Sequence, residues 1–302
     1  MMKKVPRTWG ILFFAFGVNA FVLPQLAWAG PINVGSISIE PASEIKRFLP
    51  FANYLAKQLK AEGFDQGKVV VAKSMPEMAS FLKEGKVDLY IDSPFPSVAV
   101  SRLSGSKFLL RRWKKGIGEY HSVIFTNKDS GISRLEDLKG KIIAFEEPFS
   151  SSGYFIPKVA LMQEGLKLVP KKDTSDPLAP AEVGYVFSRG DENTMLWVLR
   201  GKVMAGAMDN QKYPNEARGN LNSLRIVYKS SSFPRHIVSY RADLPVNLVA
   251  KIKETLIKMD QSEEGKKLLQ QFEKSKFDEI PDRSIEPLLK AGKFIDVELG
   301  LQ

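Results

Sequence analysis

The residues best placed to do chemistry are Glu147-Pro148-Phe149-Ser150-Ser151-Ser152-Gly153-Tyr154. They lie between an apolar run at 141–145, read as a strand, and an apolar helical stretch reaching about 163. A helix start leaves backbone N–H groups unpaired and carries a partial positive charge, so it attracts anions. Ser150, Ser151 and Ser152 add hydroxyl donors suited to an oxyanion, and Gly153 lets the backbone approach closely. The competing reading is that one serine is an ordinary N-cap and the others fill the turn. The spacing is not that of a P-loop.

Other candidates are scattered along the chain. Asp92-Ser93 precedes Pro94. Asp92 either faces a ligand, where it must be protonated or paired with a ligand amine to avoid repelling a dianion, or caps the helix opening at Pro94. Asp209, at the far end of a strand, either faces the same ligand or caps the next turn. Tyr120 is an aromatic wall or a core tyrosine. His121 and His236 are anion donors or structural linker residues. Arg235 could grip an anion bidentately.

Enzyme chemistry fits poorly. The chain has no Gly-x-Ser-x-Gly, His-Glu-x-x-His or dinucleotide fingerprint, two histidines, and no cysteine. Glu146 and Glu147, as neighbours on a strand, point to opposite faces and make a poor acid/base pair. Binding without catalysis, cofactor or metal is the expectation.

The elements that must position these residues alternate between strand and helix, which indicates an α/β fold. Strands are expected at 32–39, 68–72, 87–92, 121–126, 141–145, 183–187, 203–208, 224–228 and 237–240. Helices are expected at 43–59, from Ser74 to about 84, at 94–102, and at 191–199. Ser74-x-x-Glu77 and Ser133-x-x-Glu136 read as capping boxes. A loop is expected at 169–180, and a mainly helical tail from 245. The order suggests two lobes, the second inserted into the first, with chain crossings near 121–127 and 228–239. That assigns 30–122 and 232–302 to the first lobe and 123–231 to the second.

Residues 1–29 read as a secretory leader. Lys3, Lys4 and Arg7 precede an apolar stretch at 9–23, and Ala27-Trp28-Ala29 offers a cleavage site before Gly30. The alternative is an uncleaved anchor, but Gly17, Asn19 and Pro24 interrupt a segment that should have about 20 apolar residues to span a membrane. The absence of cysteine excludes disulfides, thiolate chemistry and a lipidated Cys after the leader, so a periplasmic protein that is not lipid-anchored is expected. The formal net charge of +10 suits anionic solutes. No block of successive cations or aromatic-basic motif points to nucleic acid.

Several segments in order resemble the phosphonate/phosphite/phosphate-binding proteins of ABC transporters. These are Phe48-Leu49-Pro50-Phe51-Ala52-Asn53-Tyr54-Leu55, Gly85-Lys86-Val87-Asp88-Leu89, Tyr120-His121-Ser122-Val123-Ile124, Lys128-Asp129-Ser130-Gly131-Ile132, Leu135-Glu136-Asp137-Leu138-Lys139-Gly140-Lys141, and Ser150-Ser151-Ser152-Gly153-Tyr154 with Pro157. The resemblance implies a type II periplasmic binding protein fold, two α/β lobes joined by two hinge crossings. It implies a phosphoryl-type group held by Ser150, Ser151 and Ser152, and a complement from the other lobe near 91–94. The implied partners of the monomer are a small anionic solute and a membrane ABC permease. The alternative partner is a sensor kinase, with the protein serving as a ligand sensor. Asp92-Ser93 and Met204 depart from the family pattern, which leaves the ligand open.

Overall fold

The computed structural model of the chain describes residues 1–2 and 30–301. The expected leader, at 3–29, lies outside the described residues. The chain begins with β1 (Gly30–Ile37), α1 (Pro41–Gln58), β2 (Phe64–Ala72), α2 (Met75–Lys83), β3 (Leu89–Asp92), α3 (Pro94–Ser104) and β4 (Lys107–Arg112). It crosses through β5 (Glu119–Tyr120) to β6 (Ser122–Asn127), β7 (Ile142–Phe145), a π turn at Ser151–Phe155, α4 (Ile156–Gln163), β8 (Lys167–Pro170), β9 (Glu182–Phe187), α5 (Asp191–Leu199), β10 (Ala205–Asp209), α6 (Lys212–Ala217) and β11 (Leu224–Lys229). It returns through β12 (Phe233–Pro234) to β13 (His236–Tyr240), α7 (Val246–Ile257), α8 (Glu263–Gln271), β14 (Phe277–Asp278), α9 (Asp282–Lys290) and α10 (Gly292–Glu298).

These strands form two six-stranded sheets, in the orders β14-β4-β13-β3-β1-β2 and β11-β6-β10-β7-β9-β8. In the first, β1 lies parallel between β2 and β3, and β13 runs antiparallel to both β3 and β4. In the second, β7 is parallel to β9 and β10, and β6 is antiparallel to β10 and β11. The two chain crossings pair with each other as the short β5–β12 ladder.

Local packing explains two of the motifs. α1 turns Phe48, Phe51, Ala52 and Leu55 into the core, each large apolar side chain contributing about 1.5–3 kcal/mol by leaving water. Phe51 stacks on Phe272 at 5.1 Å. α1 lies so close to β2 that a Cβ on Gly67 would sit 2.1 Å from the Ala52 carbonyl carbon, and Asn53 Oδ1 accepts the Gly67 N–H at 3.1 Å. In Gly85-Lys86-Val87-Asp88-Leu89, Gly85 takes a left-handed turn at φ +69°. Asp88 is buried, accepting from the Asn33 N–H at 2.8 Å and from Arg241 Nε at 3.0 Å.

The C-terminal helices span both lobes. On the first lobe, Arg102 of α3 donates to Asp296 of α10 at 2.8 Å. On the second, Lys158 of α4 donates to Glu298 at 2.6 Å, and the Tyr154 hydroxyl also donates to Glu298. One apolar cluster runs from Phe95, Val98 and Ala99 through Phe155 and Tyr120 to Ile285, Leu288 and Ile295.

The structure adds strands that the sequence pattern does not announce. β4 and β14 lie where charged residues interrupt the apolar run. Arg111 nonetheless bonds Asp278 at 2.8 and 2.6 Å and Glu119 at 2.9 Å. β8 occupies the start of the expected loop at 169–180. Near Ser133 the capping carboxylate is Asp137, not Glu136. Asp137 accepts from the N–H groups of Ser133 and Arg134 at 2.9 and 3.1 Å, and the helix shrinks to a 3-10 turn. Among the described residues, no helix is long and apolar enough to cross a membrane.

Removing one partner of a buried ion pair leaves an uncompensated charge. Asp88→Ala is expected to cost about 3–5 kcal/mol in urea unfolding, read as a lower midpoint with an unchanged slope.

Candidate functional site

The two lobes meet where two helix starts face each other. β3 ends at Asp92, and α3 begins with Pro94 and Phe95. Pro94 has no N–H to offer, and the Phe95 N–H donates across to Ser151 Oγ at 2.8 Å. Ser151 Oγ in turn donates to Ser93 Oγ at 3.0 Å. Beside this contact the Phe95 and Phe155 rings stack, 4.0 Å apart and 4° from parallel.

The three serines have different surroundings. Ser150 is the N-cap of its turn, accepting from the Gly153 N–H at 2.9 Å and donating to Glu146 at 2.7 Å. Ser151 is buried and reaches the other lobe. Ser152, also buried, lies close enough to the Tyr120 hydroxyl to lower its pKa, and its carbonyl accepts from Ser122 Oγ at 2.6 Å. Gly153 is required by packing, because a Cβ there would meet the Glu146 Cβ at 2.6 Å.

Asp92 accepts from the Tyr90 hydroxyl at 3.0 Å and from the Ser93 N–H at 2.6 Å. Burial raises its pKa to about 6 against the pull of these two donors, and the nearby Glu44 adds to the rise. Tyr120 is buried, and burial pushes it up to about 12, so it stays a neutral donor. Its ring meets Phe233 edge-on, and the Arg235 guanidinium lies 4.2 Å from the ring centre. His121 is half-buried, with its basicity lowered by burial and by Lys229. Its own N–H donates to Asn210 Oδ1 at 2.9 Å. Asp209 caps α6 by accepting from the N–H groups of Gln211 and Lys212, both at 2.8 Å, and its second oxygen lies 3.5 Å from Arg235.

Two further groups were not singled out from the sequence. Lys212 pairs with Asp191 and lies 3.7 Å from Glu146, at the strand ends of the second lobe. Arg112 and Lys114 cluster at the matching edge of the first, beside His236, which the sequence did single out. The Arg111-Arg112 doublet was the available signal, but it belongs to no motif. Among the described residues, no group of three or more His, Cys, Asp or Glu side chains is arranged to hold a metal ion.

A family model described as ABC transporter, phosphonate, periplasmic substrate-binding protein matches residues 34–284. The chain belongs to this family. A phosphonates-binding periplasmic protein of Escherichia coli is 25% identical over 279 residues, covering 88% of this chain and 77% of the relative. A phosphate-import protein of Mycolicibacterium smegmatis is 26% identical over 234 residues, covering 74% and 70%. A Xanthomonas citri protein solved with chloride bound is 22% identical and superposes with a TM-score of 0.81, covering 90% of this chain and 99% of its own. The fold is the two-lobed type II arrangement of periplasmic binding proteins, and this family member shares its α/β lobes and paired crossings.

Asp92 provides a test of this electrostatic setting. Its folded-state pKa lies above the unfolded value, so the folded protein binds the extra proton and the stability this group contributes falls as pH rises from about 4 to about 6. Asp92→Asn should flatten that part of the stability–pH curve, measured by urea unfolding at several pH values. An unchanged slope would mean that Asp92 ionises normally.

Proposed function

We propose that this substrate-binding protein captures a small oxyanion of the phosphonate, phosphite or phosphate type between its lobes and delivers it to a membrane ABC permease. The observation that carries this reading is the pair of helix starts facing each other at Ser151, with the Phe95 N–H directed across the cleft. An anionic oxygen can take the place of the serine hydroxyl there and receive N–H groups from one lobe and hydroxyls from the other. The E. coli and Mycolicibacterium relatives, named for phosphonate binding and phosphate import, support the ligand class.

In this reading Ser151 and Ser152 hold the anion, Ser150 shapes the turn, and Tyr120 closes one wall. Asp92, Ser93, His121 and Asp209 stand around the same space. The lobes, 30–122 with 232–302 and 123–231, close by bending at the β5–β12 crossings. The protein binds without chemistry, and a leader ending at Ala29 sends it to the periplasm. N-terminal sequencing of the exported protein is expected to start at Gly30; recovery of the intact Met1 chain in membranes would contradict that.

A ligand at about 100 times its dissociation constant adds roughly 2.7 kcal/mol of stability through linkage. That amounts to a rise of about 5–10 °C in melting temperature. Ser151→Ala with Ser152→Ala removes two charge-assisted donors, each contributing about 1.5–3 kcal/mol. Affinity for the best oxyanion in a calorimetric screen should therefore fall by about two to four decades. Circular dichroism should show the ligand-free variant folded, its melting lowered by a loss of about 1–3 kcal/mol as the Phe95 N–H is left without its acceptor. A double variant that keeps full affinity would move the site elsewhere.

A further inference from the structure

Beside the serine turn, the cleft edge of the first lobe carries a basic cluster that phosphoryl capture does not use. Arg112 closes β4 and pairs in register with His236 at the start of β13, one step beyond the Ile237–Asp92 pair. Arg112 is fully buried. It donates to Ser275 Oγ at 3.0 Å, the Phe272 carbonyl at 3.3 Å and Glu273 at 2.9 Å, and lies 3.1 Å from His236 Nδ1. A guanidinium cannot accept a hydrogen bond, so Nδ1 is the acceptor and the imidazole proton sits on Nε2. Burial, reinforced by Lys114, Arg112, Arg235 and Arg47, keeps that ring neutral. Its Nε2–H donor meets no acceptor among the described residues.

The cations around it are thinly compensated. Lys114 Nζ lies 3.4 Å from the same Glu273 carboxylate that Arg112 uses. Arg235 lies 3.5 Å from one Asp209 oxygen while the other oxygen accepts two backbone N–H groups. The remaining carboxylates at this edge are engaged. Glu44 accepts from Ser36 at 3.0 Å and pairs with Arg47, and Asp92 is held by Tyr90 and the Ser93 N–H. Cations taken out of water this way are costly unless an anion completes them.

Tyr120 links this cluster to the anion turn. Ser152 stands near its hydroxyl, and the Arg235 guanidinium lies 4.2 Å from its ring centre. Tyr120 therefore stands between the serine turn and the basic cluster, and a ligand engaging both has to reach past it.

Building on the phosphoryl-binding reading, we propose that Lys114, Arg235 and the His236 Nε2–H form a second subsite that grips a second acidic group of the ligand. The natural substrate class is then a small molecule with two acidic groups, such as a phosphonocarboxylate or a diphosphate, in preference to simple alkylphosphonates or amino-bearing ones.

The test is calorimetric titration of the mature protein with methylphosphonate, 2-aminoethylphosphonate, phosphonoacetate and pyrophosphate. Either diacid is expected to bind about 10–100-fold more tightly than methylphosphonate, the range of one charge-assisted contact. Lys114→Met should shrink this preference to within about threefold, and Lys114→Arg should retain most of it, with circular dichroism and ligand-free melting showing that both are folded. A wild-type protein that binds methylphosphonate as tightly as the diacids, or that favours 2-aminoethylphosphonate, overturns the second subsite and leaves phosphoryl binding standing. A preference that survives Lys114→Met overturns the assignment to these residues. If none of the four ligands binds while phosphate or phosphite does, the second subsite fails and phosphoryl binding stands. If phosphate and phosphite also fail to bind, the phosphoryl-binding reading itself fails, and the second subsite with it.

Discussion

The arrangement of the molecule depends on backbone N–H groups that a helix cannot satisfy by itself. At the start of α3 and at the serine turn these donors are brought together from opposite lobes, and the Phe95 N–H finds its acceptor in Ser151. For the two starts to meet, β3 and β7 must end at the same gap and the β5–β12 ladder must hold the sheets at the right separation. Proline at the start of α3 costs little, because the first helical N–H has no intrahelical partner to lose. The stacked pair of Phe95 and Phe155 adds an apolar contact beside the polar one, so that misalignment would lose both.

Charge is distributed unevenly around that gap. Along β13 and β4 the buried groups are cationic, and they tolerate burial because Glu273 serves two of them and His236 remains neutral beside a guanidinium. Burial lowers Lys114 to about 8 and Arg112 to about 10, with Glu273 opposing the fall in both. Across the sheet, burial and the nearby Glu44 carboxylate raise the cost of ionising Asp92, and local donors hold both side chains, Tyr90 on Asp92 and Ser36 on Glu44. In the second lobe Lys212 is pinned between Asp191 and Glu146 beneath the serine turn. The sheet edges thus present charges held by ion pairs and hydrogen bonds, the kind of partly ordered surface that preorganised recognition would use.

Much of this was legible in the residues. The helix at 191–199, the Ser74 cap and the anion-suited turn at Ser150 all follow from local patterns, because the groups involved lie within a few residues of one another. The serine triplet shows where that legibility stops. Its composition suits an anion, but which serine caps and which reaches outward depends on Glu146 below and on Phe95 from the other lobe. β4 was invisible for the same reason. A strand ending in two arginines reads as surface until Asp278, Glu273 and Ser275 arrive from more than 150 residues away. Asp88 was noticed as part of a family motif, and its physical purpose, holding Asn33 and Arg241, becomes clear only in three dimensions.

The C-terminal helix has a consequence of its own. Asp296 is tied to α3 and Glu298 to α4, so α10 bridges the two lobes at a place no ligand needs to touch. If the lobes close by the proposed hinge motion, contacts of this kind weight the populations of the open and closed molecule before any solute arrives. When only one conformer binds, the observed dissociation constant is the intrinsic one divided by the fraction of molecules in that conformer. Every solute that selects the closed form experiences the same divisor. Under that closure the tail would set how tightly the protein holds its ligands as a group, while the residues of the cleft would set which ligand it prefers, so the two properties could be altered independently.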